Sequence, residues 1–221
     1  MFKRFYCWLH DKFSSGNQRG EYSAGIWQEK VRRTAVDLLR GQNGNILEVG
    51  CGEGLFLVEL ARSNPASDIY GVDFNQERLI AAEARINNSG FKRVNLALQQ
   101  APNINFKDAE FDAVVCVNVF FNMPSLEVVK ETLLQARRIL KNNGRIIFDF
   151  RNSLNPLLFL KYRFAKYYDP SVKNLPLNTF APGAIERILQ ELSFEITNKK
   201  FIDPVFFNNF APVIVVEARK R

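Results

Sequence analysis

Apolar positions along the chain alternate between two spacings. Trp27, Val31, Ala35 and Leu38/Leu39 recur at helical intervals across residues 25–40, and Gly41 closes that segment. Asn45-Ile46-Leu47-Glu48-Val49 is a short apolar run that stops at a glycine cluster, as a strand does. A helix is expected from Leu55 to Ala61 and a second strand over Asp68–Val72. Asn75 can cap a helix reaching about Asn88, with Gly90 beyond it. Val94–Gln99 and Phe111–Val117 read as the third and fourth strands, the latter apolar enough to be buried on both faces. Leu126, Val129, Leu133, Ala136 and Leu140 form one helical stripe, which Asn142-Asn143-Gly144 is expected to end. Arg145–Phe150 is the fifth strand, and residues 151–178 look irregular. Ile185, Ile188, Leu189 and Leu192 predict a last helix, followed by strands at Phe194–Phe201 and Val213–Ala218. Strands alternating with helices in this way predict a mostly parallel sheet covered on both faces, an α/β class.

Composition narrows the chemistry. The chain has 221 residues, enough for one domain with an elaborated lid, and 47% apolar with 24% charged residues is ordinary globular usage. The apolar run at the N-terminus breaks too early for a secretory signal. Cys7, Cys51 and Cys116 have no CxxC spacing, which argues against a disulfide framework or a four-thiolate zinc site. Reduced thiols and a cytoplasmic location are expected. His10 is the sole histidine, so zinc motifs of the HExxH type are impossible and histidine-based triads disfavoured.

Charge is unevenly spread. The net +7 resolves into +4 over residues 1–40, −2 over 41–150, +4 over 151–173, −2 over 174–198 and +3 over 199–221. Basic flanks around a slightly acidic middle are either solvated surface or a cationic rim for an anionic substrate, RNA or a membrane surface.

The most informative stretch is Glu48-Val49-Gly50-Cys51-Gly52-Glu53-Gly54. It lies at a strand-to-helix junction, where glycines let the backbone approach a ligand closely. A dinucleotide GxGxxG loop would need glycine where Leu55 stands, and the lysine of a phosphate-binding Walker loop is absent. Asp73 ends the next strand, 23 residues after Gly50, a distance at which an acid can take both hydroxyls of a ribose.

With Gly71-Val72-Asp73, this stretch resembles the class I S-adenosylmethionine-dependent methyltransferases, and within them the small bacterial enzymes acting on small molecules or lipids. The resemblance covers residues 25–150 best. It implies a doubly wound seven-stranded sheet in the order 3-2-1-4-5-7-6 with the last strand antiparallel. It also implies one domain over 1–221: an N-terminal helical cap (1–44), a cofactor-binding core (45–150), an acceptor lid (151–180) and a last helix with a strand pair (181–221). Gly50, Cys51, Gly52 and Gly54 would line the methionine part of the cofactor, with Glu48 beneath it near the ammonium. Asp73 would hold the ribose, Phe74 and the Gln100-Ala101 stretch would lie by the adenine, and Asn118 would contribute backbone near the amino acid part.

Departures from the family pattern matter too. Where relatives often place an acid near the adenine amino group, this chain has Gln99-Gln100-Ala101-Pro102. The paired histidines that often follow the fourth strand are replaced by Phe120-Phe121-Asn122, and no Asn-Pro-Pro-aromatic motif of DNA amino-methylating enzymes occurs. Cys116 lacks the Pro-Cys setting of a cytosine-C5 nucleophile.

A sulfonium methyl is already activated, so positioning can carry most of the catalysis. Asp149 at the end of the fifth strand is the candidate base, with a charge pair to Arg151 as the plainer reading. Asn118 and Asn122 are candidates to orient an acceptor, and His10 is far from any motif. Arg151, Lys161, Arg163, Lys166 and Tyr167 stand among aromatic and leucine residues after the fifth strand, an apolar lid with a cationic mouth. That suits a small or lipid-like acceptor, an anionic one included, reached from the cytoplasm with peripheral membrane contact. RNA is the rival acceptor, and a non-catalytic cofactor-binding module or a nicotinamide oxidoreductase the rival classes.

Overall fold

Seven strands and five long helices account for most of the residues described by the computed structural model, namely 26–158, 162, 176–203 and 208–221. In chain order they are α1 (Ile26–Leu39), β1 (Asn45–Val49), α2 (Leu55–Ser63), β2 (Asp68–Asp73), α3 (Gln76–Ser89), β3 (Val94–Leu98), β4 (Phe111–Cys116), α4 (Leu126–Ile139), β5 (Leu140–Arg151), α5 (Pro182–Glu191), β6 (Phe194–Ile202) and β7 (Val213–Lys220). Short 3₁₀ turns cover Phe120–Asn122 and Asn208–Phe210. The sheet order is β3-β2-β1-β4-β5-β7-β6, with β7 antiparallel to both its neighbours and the other pairings parallel.

Alternation along the strands explains the layers. Ile46, Ala113, Val115, Ile147 and Val215 point to one core with Val31, Ala35 and Leu39 of α1 and Leu57 and Leu60 of α2. Leu47, Val114, Cys116, Phe148 and Val216 point to the other, with Val129, Leu133 and Ala136 of α4 and Ile185 and Leu189 of α5. The apolar run of β4 therefore feeds both cores. Asn75 caps α3 by accepting from the amides of Glu77 and Arg78 at 2.9 and 3.1 Å, and Gly90 ends it in the left-handed region.

Two expectations need correction. Asn142-Asn143-Gly144 does not end α4, because the helix stops at Ile139 and Leu140 is already extended and paired with Phe111. The register then jumps from Phe111↔Leu140 to Ala113↔Arg145, so the turn-forming residues make a bulge inside β5, with Asn143 at φ 63°. In the 151–178 segment, expected to be irregular, residues 156–158 and 162 are helical. The cap residues 1–25, with His10, and the lid residues Lys161, Arg163, Lys166 and Tyr167 lie outside the described residues. Among the described residues no helix is long and apolar enough to cross a membrane.

Candidate functional site at the carboxyl edge of the sheet

The β1–α2 loop is built from three glycines in the left-handed region, Gly50 at φ 79°, Gly52 at 52° and Gly54 at 77°. They are not equivalent. A β-carbon on Gly50 would come within 2.6 Å of the Val119 side chain, and one on Gly54 within 3.0 Å of Ala82. On Gly52 it would meet nothing within 4 Å, so the backbone there borders open space. The amides of Gly50 and Cys51 donate to the Val72 carbonyl at 2.7 and 3.0 Å, tying the loop to the end of β2.

Asp73 completes that tie. It is 3% exposed, its Oδ2 accepts from the Gly52 amide at 2.9 Å and its Oδ1 from the Asn75 amide at 3.0 Å. The carboxylate that ends β2 thus sits directly against the glycine loop. Each oxygen keeps a second lone pair for another donor. Phe74, next in the chain, is 63% exposed and belongs to neither core.

Glu48 lies under the loop, buried in β1 on the α1 side. Its Oε2 has no hydrogen-bond partner among the described residues. Burial raises its pKa well above the usual carboxylate range; Arg32 pulls it down in part, while Asp73 and Glu59 push it up further. A buried carboxylate oxygen with no donor, next to an open glycine, suits a cationic or hydrogen-bonding group.

The neighbouring corner, where β4 and β5 end, is arranged differently. Asp149 is fully buried and spends one oxygen on the Asn118 amide and the other on Arg151 Nη1 at 2.7 Å. Burial raises the Asp149 pKa, and the Arg151 charge and the Asn118 amide pull it back. Arg151 is 1% exposed. Its Nη2 donates to Asn118 Oδ1 at 3.2 Å, its Nε to the Tyr162 hydroxyl at 3.1 Å, and its guanidinium stacks 4.4 Å from the Phe121 ring centre. Asn118 itself sits at φ 59°, and its Nδ2 reaches the Gln28 carbonyl of α1 at 3.3 Å. One guanidinium therefore joins β5, the end of β4 and the following segment.

The other expected residues fall nearby with less to hold them. Asn122 ends the 3₁₀ turn after β4, and its Oδ1 is buried without a partner among the described residues. Gln100 is exposed and Ala101 half-buried beyond β3. Cys51 and Cys116 are buried thiols whose pKa values burial pushes up, which removes them as nucleophiles. Gln28, Arg32 and Phe121 were not anticipated, and neither was Tyr162 as a partner of Arg151. Their roles come from contacts 11 to 90 positions apart in the chain, or from a buried charge, and no local pattern marks them.

Residues 46–144 match a family described as a methyltransferase domain. A ubiquinone/menaquinone biosynthesis C-methyltransferase of Geotalea uraniireducens (strain Rf4) is 34% identical over 146 residues, covering 64% of this chain; the chain spans only 60% of that relative's length. A phosphatidylethanolamine N-methyltransferase of Cereibacter sphaeroides is 25% identical over 187 residues, covering 83% of this chain and 86% of the relative. Among solved structures, magnesium protoporphyrin IX methyltransferase from Synechocystis PCC 6803 with bound SAH superposes with a TM-score of 0.70 at 18% identity, covering 98% of this chain and all of that one, a likeness of fold. The matched residues run from β1, through the glycine loop and Asp73, into β5, on a sheet with the order this family implies. Residues 46–144 are thus similar in sequence to a methyltransferase domain, and the chain has the fold of the class I S-adenosylmethionine-dependent methyltransferases.

Proposed function

We propose that this chain transfers a methyl group from S-adenosylmethionine to a small, lipid-like acceptor. The observation that carries the cofactor half is the corner where Gly52 borders open space beside the Asp73 carboxylate, in the loop that follows the buried Glu48, whose Oε2 has no partner among the described residues. In this reading the Gly50–Gly54 loop receives the methionine part, with Cys51 only a small buried residue within it. Glu48 meets the ammonium, and Asp73 takes the ribose hydroxyls on its second lone pairs. Phe74 lies against the adenine, with Gln100 and Ala101 at its far edge.

The relatives named for quinone and phosphatidylethanolamine methylation support the lipid-like acceptor. The bound cofactor supplies a methyl group already activated by its positive sulfur. This chain's residues then have to hold the acceptor in line, and positioning of that kind can be worth about 7–11 kcal/mol. Asn122, with its free Oδ1, can accept a hydrogen bond from the acceptor. Asp149 has both oxygens engaged and works by setting the Asn118 backbone and orienting Arg151, so its part is positioning. Arg151 serves the acceptor side by holding Tyr162, and Lys161, Arg163 and Tyr167 are assigned to acceptor binding by their residue types, two cations and an aromatic. The whole chain acts as one domain.

Asp73→Asn tests the cofactor half. Loss of charge-assisted hydrogen bonds, about 1.5–3 kcal/mol each, should weaken binding of the demethylated cofactor product roughly 10–1000-fold by calorimetry, with circular dichroism unchanged. Unchanged affinity would remove the ribose role. For the acceptor half, label from the methyl group should pass into the lipid fraction of a cell extract. Transfer into its RNA fraction would replace the lipid reading.

A further inference from the structure

Behind the end of β5, on the face opposite Asp149 and Arg151, lies a cavity of about 270 Å³. Phe150, Leu154, Ile185, Leu189, Ile196 and Ile214 line it. Protein interiors pack to crystal density with few voids larger than a water molecule, and an apolar void of about 150 Å³ already takes benzene. This space is nearly twice that size, mainly apolar and open on one side, so it has room for an alkyl chain. Its inner wall carries no charge, and the Lys199–Glu186 ion pair stands at its rim.

Three features connect this cavity to the carboxyl edge. Strand alternation makes Phe150 its wall, while the residues on either side, Asp149 and Arg151, face the candidate site. Leu154, three residues after Arg151, lines the cavity yet is 51% exposed, so it borders the opening. The opening is also braced. Asn152, fully buried, donates from Nδ2 to the carbonyls of Asn209 and Ala211 at 2.8 and 2.9 Å. Asn155, 4% exposed, donates to the Phe210 carbonyl, and Phe210 is itself 43% exposed. Two buried amides thus fix the 209–211 turn, and the Asn152 Oδ1 accepts from the Leu154 amide at 3.0 Å, which holds an exposed leucine beside an apolar chamber.

We propose that this cavity receives the apolar tail of the acceptor, whose reacting head group lies at the carboxyl edge by Asn118 and Asn122. The proposal rests on the lipid-like acceptor reading and adds where the tail goes and that it enters uncharged.

The test uses the full chain saturated with S-adenosylhomocysteine and 1-decanol as a neutral tail probe. Decanol should shift the methyl resonances of Ile185, Ile196 and Ile214. Ile196→Trp, which fills the chamber from the half-buried edge strand, should weaken decanol binding at least tenfold. Leu154→Asp, at an exposed position that leaves the core intact, should do the same. S-adenosylhomocysteine affinity should stay within twofold in both. Transfer of label from S-adenosylmethionine into a bacterial lipid extract should fall at least tenfold in both variants. Absence of shifts at those isoleucines overturns the proposal, and so does undiminished lipid methylation in variants that no longer bind decanol. Loss of S-adenosylhomocysteine binding in the wild type would strike the cofactor reading instead. Decanol binding with no label reaching lipid would strike the acceptor reading and the tail assignment together.

Discussion

Two corners of the same sheet edge handle buried charge in opposite ways. At the β1–β2 corner, Glu48 is buried with an oxygen that no described residue serves, and Gly52 opens onto empty space beside Asp73. At the β4–β5 corner, Asp149, Arg151, Asn118 and Tyr162 serve one another, and among the described residues there Asn122 Oδ1 is the buried side-chain oxygen left without a partner. The first corner keeps unspent bonding capacity, which suits a ligand that brings its own charges and hydroxyls. The second has satisfied itself internally, which suits a rigid mount. The lesson is that two carboxylates at equivalent strand ends take different work according to whether their partners come from within the fold.

That contrast can be broken most forcefully at Arg151. Arg151→Met would leave Asp149 buried without its cation, and removal of one partner of a buried pair costs about 3–5 kcal/mol. Urea denaturation should register a loss of that order. A loss below about 1 kcal/mol would mean that the second corner is not the mount described.

The glycines sharpen the first corner. Gly50→Ala combines left-handed strain with a clash against Val119 and should lower stability by about 2–4 kcal/mol. Gly52→Ala meets strain alone, about 1–2 kcal/mol. Its methyl group projects into the open space, so cofactor-product affinity should fall at least about tenfold, 1.4 kcal/mol, by calorimetry. If Gly52→Ala binds normally, the ligand does not approach the loop at that position.

The smallest effect has the opposite sign. Burial raises the Glu48 pKa in the fold, so the folded state holds that proton more tightly than the unfolded chain. Stability from this group is present at acid pH and declines as pH rises from the ordinary glutamate value toward the raised one. Glu48→Gln should flatten that decline and raise the melting temperature of the cofactor-free protein at pH 7, while cofactor-product affinity falls. A variant that melts lower at neutral pH would show Arg32 to be the stronger influence on Glu48.

Legibility in the sequence followed the same division. The loop of three glycines and the acid at 73 were readable because strand, turn and helix follow each other locally, and each constrains residue types at fixed spacing. The alternating apolar runs of β1, β4 and β5 likewise announced a sheet covered on both sides. Asn142-Asn143-Gly144 misled, since the same turn chemistry serves a helix end or a strand bulge, and pairing of Leu140 with Phe111 chose the bulge.

Local pattern, then, determined the class of fold, the glycine loop and the placement of Asp73, because their physical requirements are met within a few neighbouring residues. Only the tertiary structure decided that Asp149 is tied at both oxygens, that Tyr162 meets Arg151, and that Phe74 stands exposed while Phe150 walls a cavity. Those outcomes depend on which distant groups arrive at one point in space. A carboxylate's partners, unlike a glycine's φ, are not encoded beside it in the chain.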